Sequence, residues 1–235
     1  MLRGGRNTFI IGHTVFETSL DFNFLLLDDT SVAPERRFFL IEGWREVKIC
    51  QVRETELEAI ERLYAATVDS MRGTPYDILW EMGLHPSHDA LLAASRAGEL
   101  YAAWDEGPEH ASSEPFGAFI LNGSQAPGYR QGCWNVDVPD DQVAVIHLLT
   151  VHPDARGRGV GKALVFAAIE ESRARGKCSL RLDVFDNNAP ARAMYERCGF
   201  TDLGVFTLDV GDGFVHAANL MEFDLRESAA DGEKR

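Results

Sequence analysis

Val151-His152-Pro153-Asp154-Ala155-Arg156-Gly157-Arg158-Gly159-Val160-Gly161-Lys162 is the stretch that decides the fold of this chain. It follows a β-branched apolar run, residues 143–151, suited to a central strand. It leads into a helical pattern in which Val160, Leu164, Val165, Ala168 and Ile169 share one face and which Gly176 ends. Three glycines at alternate positions let the backbone turn sharply and approach a ligand closely, and the helix that begins just after them presents N–H groups with no partner one turn back. A helix start of this kind is an anion site, to which Arg156, Arg158 and Lys162 add full charges, so a pyrophosphate fits there. Two nucleotide motifs fail on spacing. A P-loop needs glycine where Arg156 stands and Ser or Thr in place of Ala163, and a dinucleotide fingerprint starting at Gly157 needs glycine in place of Lys162.

Working downstream, Leu180, Leu182 and Val184 alternate with Arg181 and Asp183 as in a strand, and Pro190 opens a short helix that Gly199 closes. Two more strands, residues 203–210 and 214–223, flank the turn Gly211-Asp212-Gly213. Upstream, a strand over residues 47–52 leads to Thr55 and Glu58, which have the spacing of a reciprocal capping box. Leu57, Ile60, Leu63, Tyr64 and Val68 then form a helical face with Gly73 as its stop, and a second helix over residues 87–97 ends at Gly98. A β-hairpin joins residues 100–104 to 116–121 through a loop containing Gly107, Pro108 and Pro115. Residues 122–141, rich in Gly, Pro and Asp, form a loop long enough to border a functional site. The order of elements describes a mixed α/β sheet with helices packed on it.

Residues 1–45 alternate short apolar patches with turn-like clusters and read as a strand-rich extension. Its patches at 22–27 and 38–41 need cover from the main domain or from a second subunit, as in a homodimer. One domain is expected over residues 46–226, followed by a polar tail, 227–235. With 45% hydrophobic and 26% charged residues, the chain of 235 has the makeup of a globular protein, not a disordered one. A formal charge of -14 opposes binding to a nucleic-acid backbone. The four cysteines contain no CxxC pair, and His85 and His88 have no ligand partners at metal-site spacing, so no metal is expected. No apolar run reaches the roughly 18–20 residues of a membrane span, and the N-terminus lacks a signal-peptide pattern, so a cytoplasmic location away from membranes is expected.

The stretch resembles the Gcn5-related N-acetyltransferase (GNAT) family, whose cofactor motif reads Arg or Gln, two residues, Gly, one residue, Gly or Ala. Arg156, Gly159 and Gly161 stand in that pattern. The similarity extends from Ile146-His147-Leu148-Leu149-Thr150-Val151 through Asn187-Asn188-Ala189-Pro190 to Tyr195, Gly199 and Phe200. It implies the acyl-CoA N-acyltransferase fold, a mixed central sheet with splayed strands and helices on both faces. It also implies acetyl-CoA as acyl donor, transfer of the acetyl group to an amine of a small molecule, peptide or protein in a ternary complex, and no metal.

Residue by residue, the backbone at Leu149, Thr150 and Val151 would bind the pantetheine arm as an added strand. The N–H groups from Arg156 through Gly157, Arg158, Gly159, Val160 and Gly161 to Lys162 would hold the pyrophosphate. Asn188 would reach the pantetheine, and Tyr195 would place its hydroxyl at the sulfur as general acid. His147 stands on the strand where many members carry a glutamate, and either it or a chain of waters would take the amine's proton. A non-catalytic acyl-CoA-binding module of the same fold is the alternative.

Overall fold

The computed structural model describes residues 47–105, 114–209 and 215–226 with their side chains, and ahead of them the backbone of four strands. Strands β1 (Asn7–Ile11) and β2 (Thr14–Thr18) pair with each other. Strands β3 (Phe24–Leu27) and β4 (Arg36–Ile41) form one edge of the main sheet, where β4 pairs with β5 (Val47–Gln51). The expected turn at residues 211–213, the loop positions Gly107 and Pro108, the tail 227–235 and the side chains of residues 1–45 lie outside the described residues.

After β5 come α1 (Leu57–Met71), α2 (His88–Arg96), β6 (Leu100–Asp105), β7 (Gly117–Asn122), β8 (Val143–Val151), α3 (Val160–Ala174), β9 (Ser179–Phe185), α4 (Ala189–Arg197), β10 (Thr201–Asp209) and β11 (Val215–Asp224). The sheet runs β10-β11-β9-β8-β7-β6-β5-β4-β3, with β8 and β9 its parallel pair and every other neighbour antiparallel. This is the mixed sheet that the order of elements implies.

The start of α1 differs from expectation. A 3-10 turn, Glu54–Glu56, precedes it, and the capping carboxylate belongs to Glu56, whose Oε2 accepts the Arg53 N–H at 2.8 Å. Glu58 is drawn instead to Arg62, one turn on, at 3.0 Å. The guanidinium of Arg53 donates to Glu56 as well, and this second contact favours Glu56 over the Thr55–Glu58 spacing. The helix stops are as the sequence implies. Ser87 caps α2 by accepting the Ala90 N–H, and Gly73, Gly98, Gly176 and Gly199 follow the four helices in left-handed conformations.

Strand alternation divides the core between the faces. Ile146 on β8 and Leu180, Leu182 and Val184 on β9 pack with Val160, Leu164, Val165 and Ile169 of α3 and with Tyr195 and Phe200. On the opposite face, Leu57, Ile60, Leu63 and Tyr64 of α1 and Leu91 of α2 cover Leu100, Ala102, Trp104, Ala118 and Ile120. The loop between β7 and β8 covers the far end of that face, where Tyr129 packs with Val143, Val145, Leu208, Ala218 and Leu220. Each fully buried aliphatic or aromatic chain contributes roughly 1.5–3 kcal/mol, and these three clusters hold the frame around the site.

Candidate active site

Strands β8 and β9 pair only at Val143–Ser179, Ala144–Leu180 and Val145–Arg181, then separate. From Ile146 onward β8 keeps β7 on one side and has a free edge on the other. A bulge accompanies the separation: the β7–β8 register shifts between Ala118 and Ile120, and Leu148 takes φ 53°. A non-glycine residue in that region costs energy, so something must hold it. The buried Tyr64 hydroxyl does so, donating to the Leu148 carbonyl at 2.8 Å. Thr150 is anchored to the same helix, with its hydroxyl on that of Thr67 at 2.8 Å. Side chains thus fix this end of β8, and its backbone edge faces the gap.

The gap opens into a cleft of about 1190 Å³. At one end lies the glycine-rich turn, where Gly157 and Gly159 have φ 73° and 86° and the first helical bond of α3 runs from the Ala163 N–H to the Gly159 carbonyl at 3.0 Å. The Val160 and Gly161 donors ahead of it have no acceptor within the helix, which leaves a positive helix end at the cleft wall. Arg156 is tied across the cleft, donating to Ser70 of α1 at 2.8 Å, and its burial lowers the guanidinium pKa. Gly161 lets α4 approach α3, since a Cβ there would stand 2.7 Å from the Met194 sulfur.

Of the residues expected to hold the cofactor, Leu149, Thr150, Val151, Arg156, Gly157, Gly159, Val160, Gly161, Lys162, Asn188 and Tyr195 line this one cleft, and Arg158 does not. Asn188 also caps α4, accepting the Ala191 N–H at 3.3 Å. Tyr195 is buried and tilts against Phe200 at 5.7 Å between ring centres; burial, then the negative charge of Asp183, pushes its phenol well above the ordinary tyrosine value.

His147 lines the same cleft, with Nε2 3.1 Å from Asn122 Oδ1. That oxygen also takes the Ser124 N–H at 3.0 Å, which identifies it as the amide's acceptor atom. The imidazole therefore donates from Nε2, and Nδ1 carries the lone pair. Burial pushes its pKa below the usual imidazole value, against the opposing pull of Asp183, the Ser124 carbonyl and Glu99.

The separated strands, the glycine turn at a helix start and the buried tyrosine meet in one cleft, and comparison with known proteins agrees. The model of the acetyltransferase (GNAT) family matches residues 73–200. The chain belongs to the GNAT family. A mycothiol acetyltransferase of Beutenbergia cavernae is 47% identical over 68 residues, which are 29% of this chain and 23% of that one. A mycothiol acetyltransferase of Gordonia bronchialis is 29% identical over 129 residues, 55% of this chain and 38% of the relative. The chain thus spans well under half the length of these curated relatives. Among solved structures, a Salmonella typhimurium protein with its cofactor acetyl-CoA has a TM-score of 0.53 at 18% identity, covering 78% of this chain and 96% of that one. An Arabidopsis thaliana protein in complex with acetyl-CoA has a TM-score of 0.54 at 18% identity, covering 77% and 99%. These likenesses show the GNAT fold.

Several residues of the GNAT cleft escaped sequence reading. Asp183 and His216 line it, and Asp183 Oδ1 accepts the Tyr129 hydroxyl at 2.7 Å. Glu99 lines it too, accepting from Asn122 at 2.9 Å. Asp183 sits in an ordinary polar position of an alternating strand, and its partner is 54 residues away, so no local pattern marks it. Cys198 is buried, which pushes its thiol up to about 11 and leaves it a poor nucleophile, whereas Cys178, just ahead of β9, is only partly buried. No helix among the described residues is long and apolar enough to cross a membrane.

Proposed function

We propose that the protein transfers the acetyl group of acetyl-CoA directly to an amine within a ternary complex. The observation that carries this reading is the free edge of β8 beyond Val145, placed between the α3 start and Tyr195. An edge of this kind accepts an amide-bearing chain as an extra strand, so Leu149, Thr150 and Val151 would hold the pantetheine. The helix start with Arg156 and Lys162 suits a pyrophosphate. When bound, acetyl-CoA supplies a thioester with an electrophilic carbonyl and a thiolate leaving group.

Tyr195 then acts as the general acid. Its buried phenol keeps its proton at neutral pH, and burial raises the proton affinity of a departing thiolate as well, so the two stay matched. His147 acts as the base, receiving the amine's proton at Nδ1 while Asn122 holds Nε2. Its depressed pKa keeps it neutral, and so able to accept, at physiological pH.

Calorimetric titration with acetyl-CoA, followed by turnover of an amine panel by wild type and Tyr195→Phe, tests the proposal. Binding with transfer that falls on the order of 10²-fold or more in the variant is expected. Binding with no transfer to any amine identifies an acyl-CoA-binding module, and absence of binding refutes the reading.

A further inference from the structure

The far side of the cleft, away from the glycine turn, has its own chemistry. On β9, Leu180, Leu182 and Val184 face α3, so Asp183 projects from the other face, where His147 also lies. Asp183 is pushed up by burial, but contacts with His216 and Tyr129 and the charges of His147 and His216 outweigh this and hold its carboxyl below the usual range. Oδ1 is taken by the Tyr129 hydroxyl. Oδ2 faces His216 Nε2 at 3.8 Å, longer than a hydrogen bond, so a better-placed donor can approach that oxygen. The His216 ring stacks on Phe185 at 4.3 Å between centres, and Phe185 and Trp80 both line the cleft. Of the Arg and Lys side chains that line the cleft, Arg156 and Lys162 belong to the glycine-turn end and Arg197 to the end of α4, and none comes from β9, which carries Asp183.

We propose that Asp183 is the recognition point for the acceptor, which is a primary amine taken as its ammonium and carrying no carboxylate next to the reacting nitrogen. This rests on the acetyl-transfer reading above. The ammonium would donate to Asp183 Oδ2, and the adjoining hydrocarbon would lie along the aromatic faces of Phe185 and Trp80, which favour a cation. A carboxylate beside the amine would meet the like charges of Asp183 and Glu99, which both line the partly desolvated cleft and both act on His147. Asp183 is a specificity-determining residue here, and the proton transfers stay with His147 and Tyr195.

The test uses the full chain, saturating acetyl-CoA, and pairs of monoamines matched in length, such as butylamine with 2-aminopentanoate and pentylamine with 2-aminohexanoate. Wild type is expected to show kcat/KM at least tenfold higher for the member lacking the carboxylate. Asp183→Asn should reduce that ratio to near one, mainly through KM, with acetyl-CoA affinity unchanged. General structural damage would lower both members of a pair together and leave the ratio intact, so the ratio isolates recognition. If Asp183→Asn does not fold, the wild-type ratio still decides. Equal rates within pairs, a ratio unchanged in the variant, or no turnover of any cationic amine by an enzyme that binds acetyl-CoA would each overturn the inference. Failure of the acetyl-transfer reading would show separately, as absence of acetyl-CoA binding.

Discussion

The hydroxyl of Tyr64 on α1 donates to the carbonyl of Leu148 on β8 at 2.8 Å, across 84 residues of sequence. Leu148 adopts a left-handed conformation within the stretch of β8, between His147 and Thr150, over which the register against β7 shifts. A side chain of the first helix therefore holds the strand in the shape that exposes its edge.

Tyr64→Phe should consequently lower both stability and cofactor affinity. The ring still fills its site, so the loss is that of the bond at a buried carbonyl, roughly 1–3 kcal/mol. Urea denaturation reads the first effect and calorimetric titration with acetyl-CoA the second. Lost stability with unchanged affinity would separate the bulge from binding.

A second expectation concerns pH. Burial depresses the His147 pKa, so the neutral imidazole, the proposed base, persists to lower pH than an exposed one. The acid limb of kcat/KM should have its midpoint below about 6.5, the ordinary histidine value. His147→Gln should remove that limb. The same depression means that His147 favours the folded state above about 6.5 and that this contribution is lost as pH falls and the unfolded chain takes up the proton. A wild-type midpoint above the ordinary value would rule out His147 as the base.

Gly161→Ala sets two effects against each other. Removing a glycine from a helix stabilises by up to about 1 kcal/mol, less near the first turn. The added Cβ would stand 2.7 Å from the Met194 sulfur, and overpacking of this kind costs typically ~1–3 kcal/mol. Met194 is a flexible side chain, so its thioether should swing aside rather than α4 move, and because Met194 lines the cleft this displacement should weaken acetyl-CoA binding. The double variant with Met194→Ala should recover most of the affinity; no recovery would mean that Gly161 acts through its own backbone at the pyrophosphate.

What could be read from the sequence follows the range of the interactions. The turn at Gly157 and Gly159, the α3 face and the helix stops are set by neighbours within a few residues, and the sequence shows them directly. The α1 cap was misplaced although local, because two glutamates two residues apart both offered the spacing and the guanidinium of Arg53 chose between them. The far wall of the cleft was legible only as a long loop, residues 122–141, bordering a site, which Asn122, Ser124 and Ala126 do; the side chains that face it were not. Its residues come from β9, β11 and the loop after β7, and their polar side chains look like the solvent face of a strand until that loop covers them.

That loop is held by one buried ion pair, which yields the last expectation. Glu222 on β11 is 2% exposed; its Oε2 accepts the N–H groups of Asn135 and Val136 at 2.6 and 3.1 Å, and its Oε1 accepts Ser179 and Arg181 at 2.7 and 3.2 Å. Arg181 in turn donates to the Val136 carbonyl and to Gln125, and lies 4.2 Å from the centre of the Trp134 ring. Removing one charge from a buried pair leaves the other uncompensated and costs about 3–5 kcal/mol, more than any exposed ion pair of this protein can supply. Glu222→Gln should therefore lower the urea midpoint strongly. Because the loop carries Tyr129, whose hydroxyl supports Asp183, the variant should also raise KM for the amine more than for acetyl-CoA, whose proposed binding residues belong to β8, the glycine turn, α3 and α4. Equal rises in both constants would show that the loop supports the whole cleft and not its far wall alone.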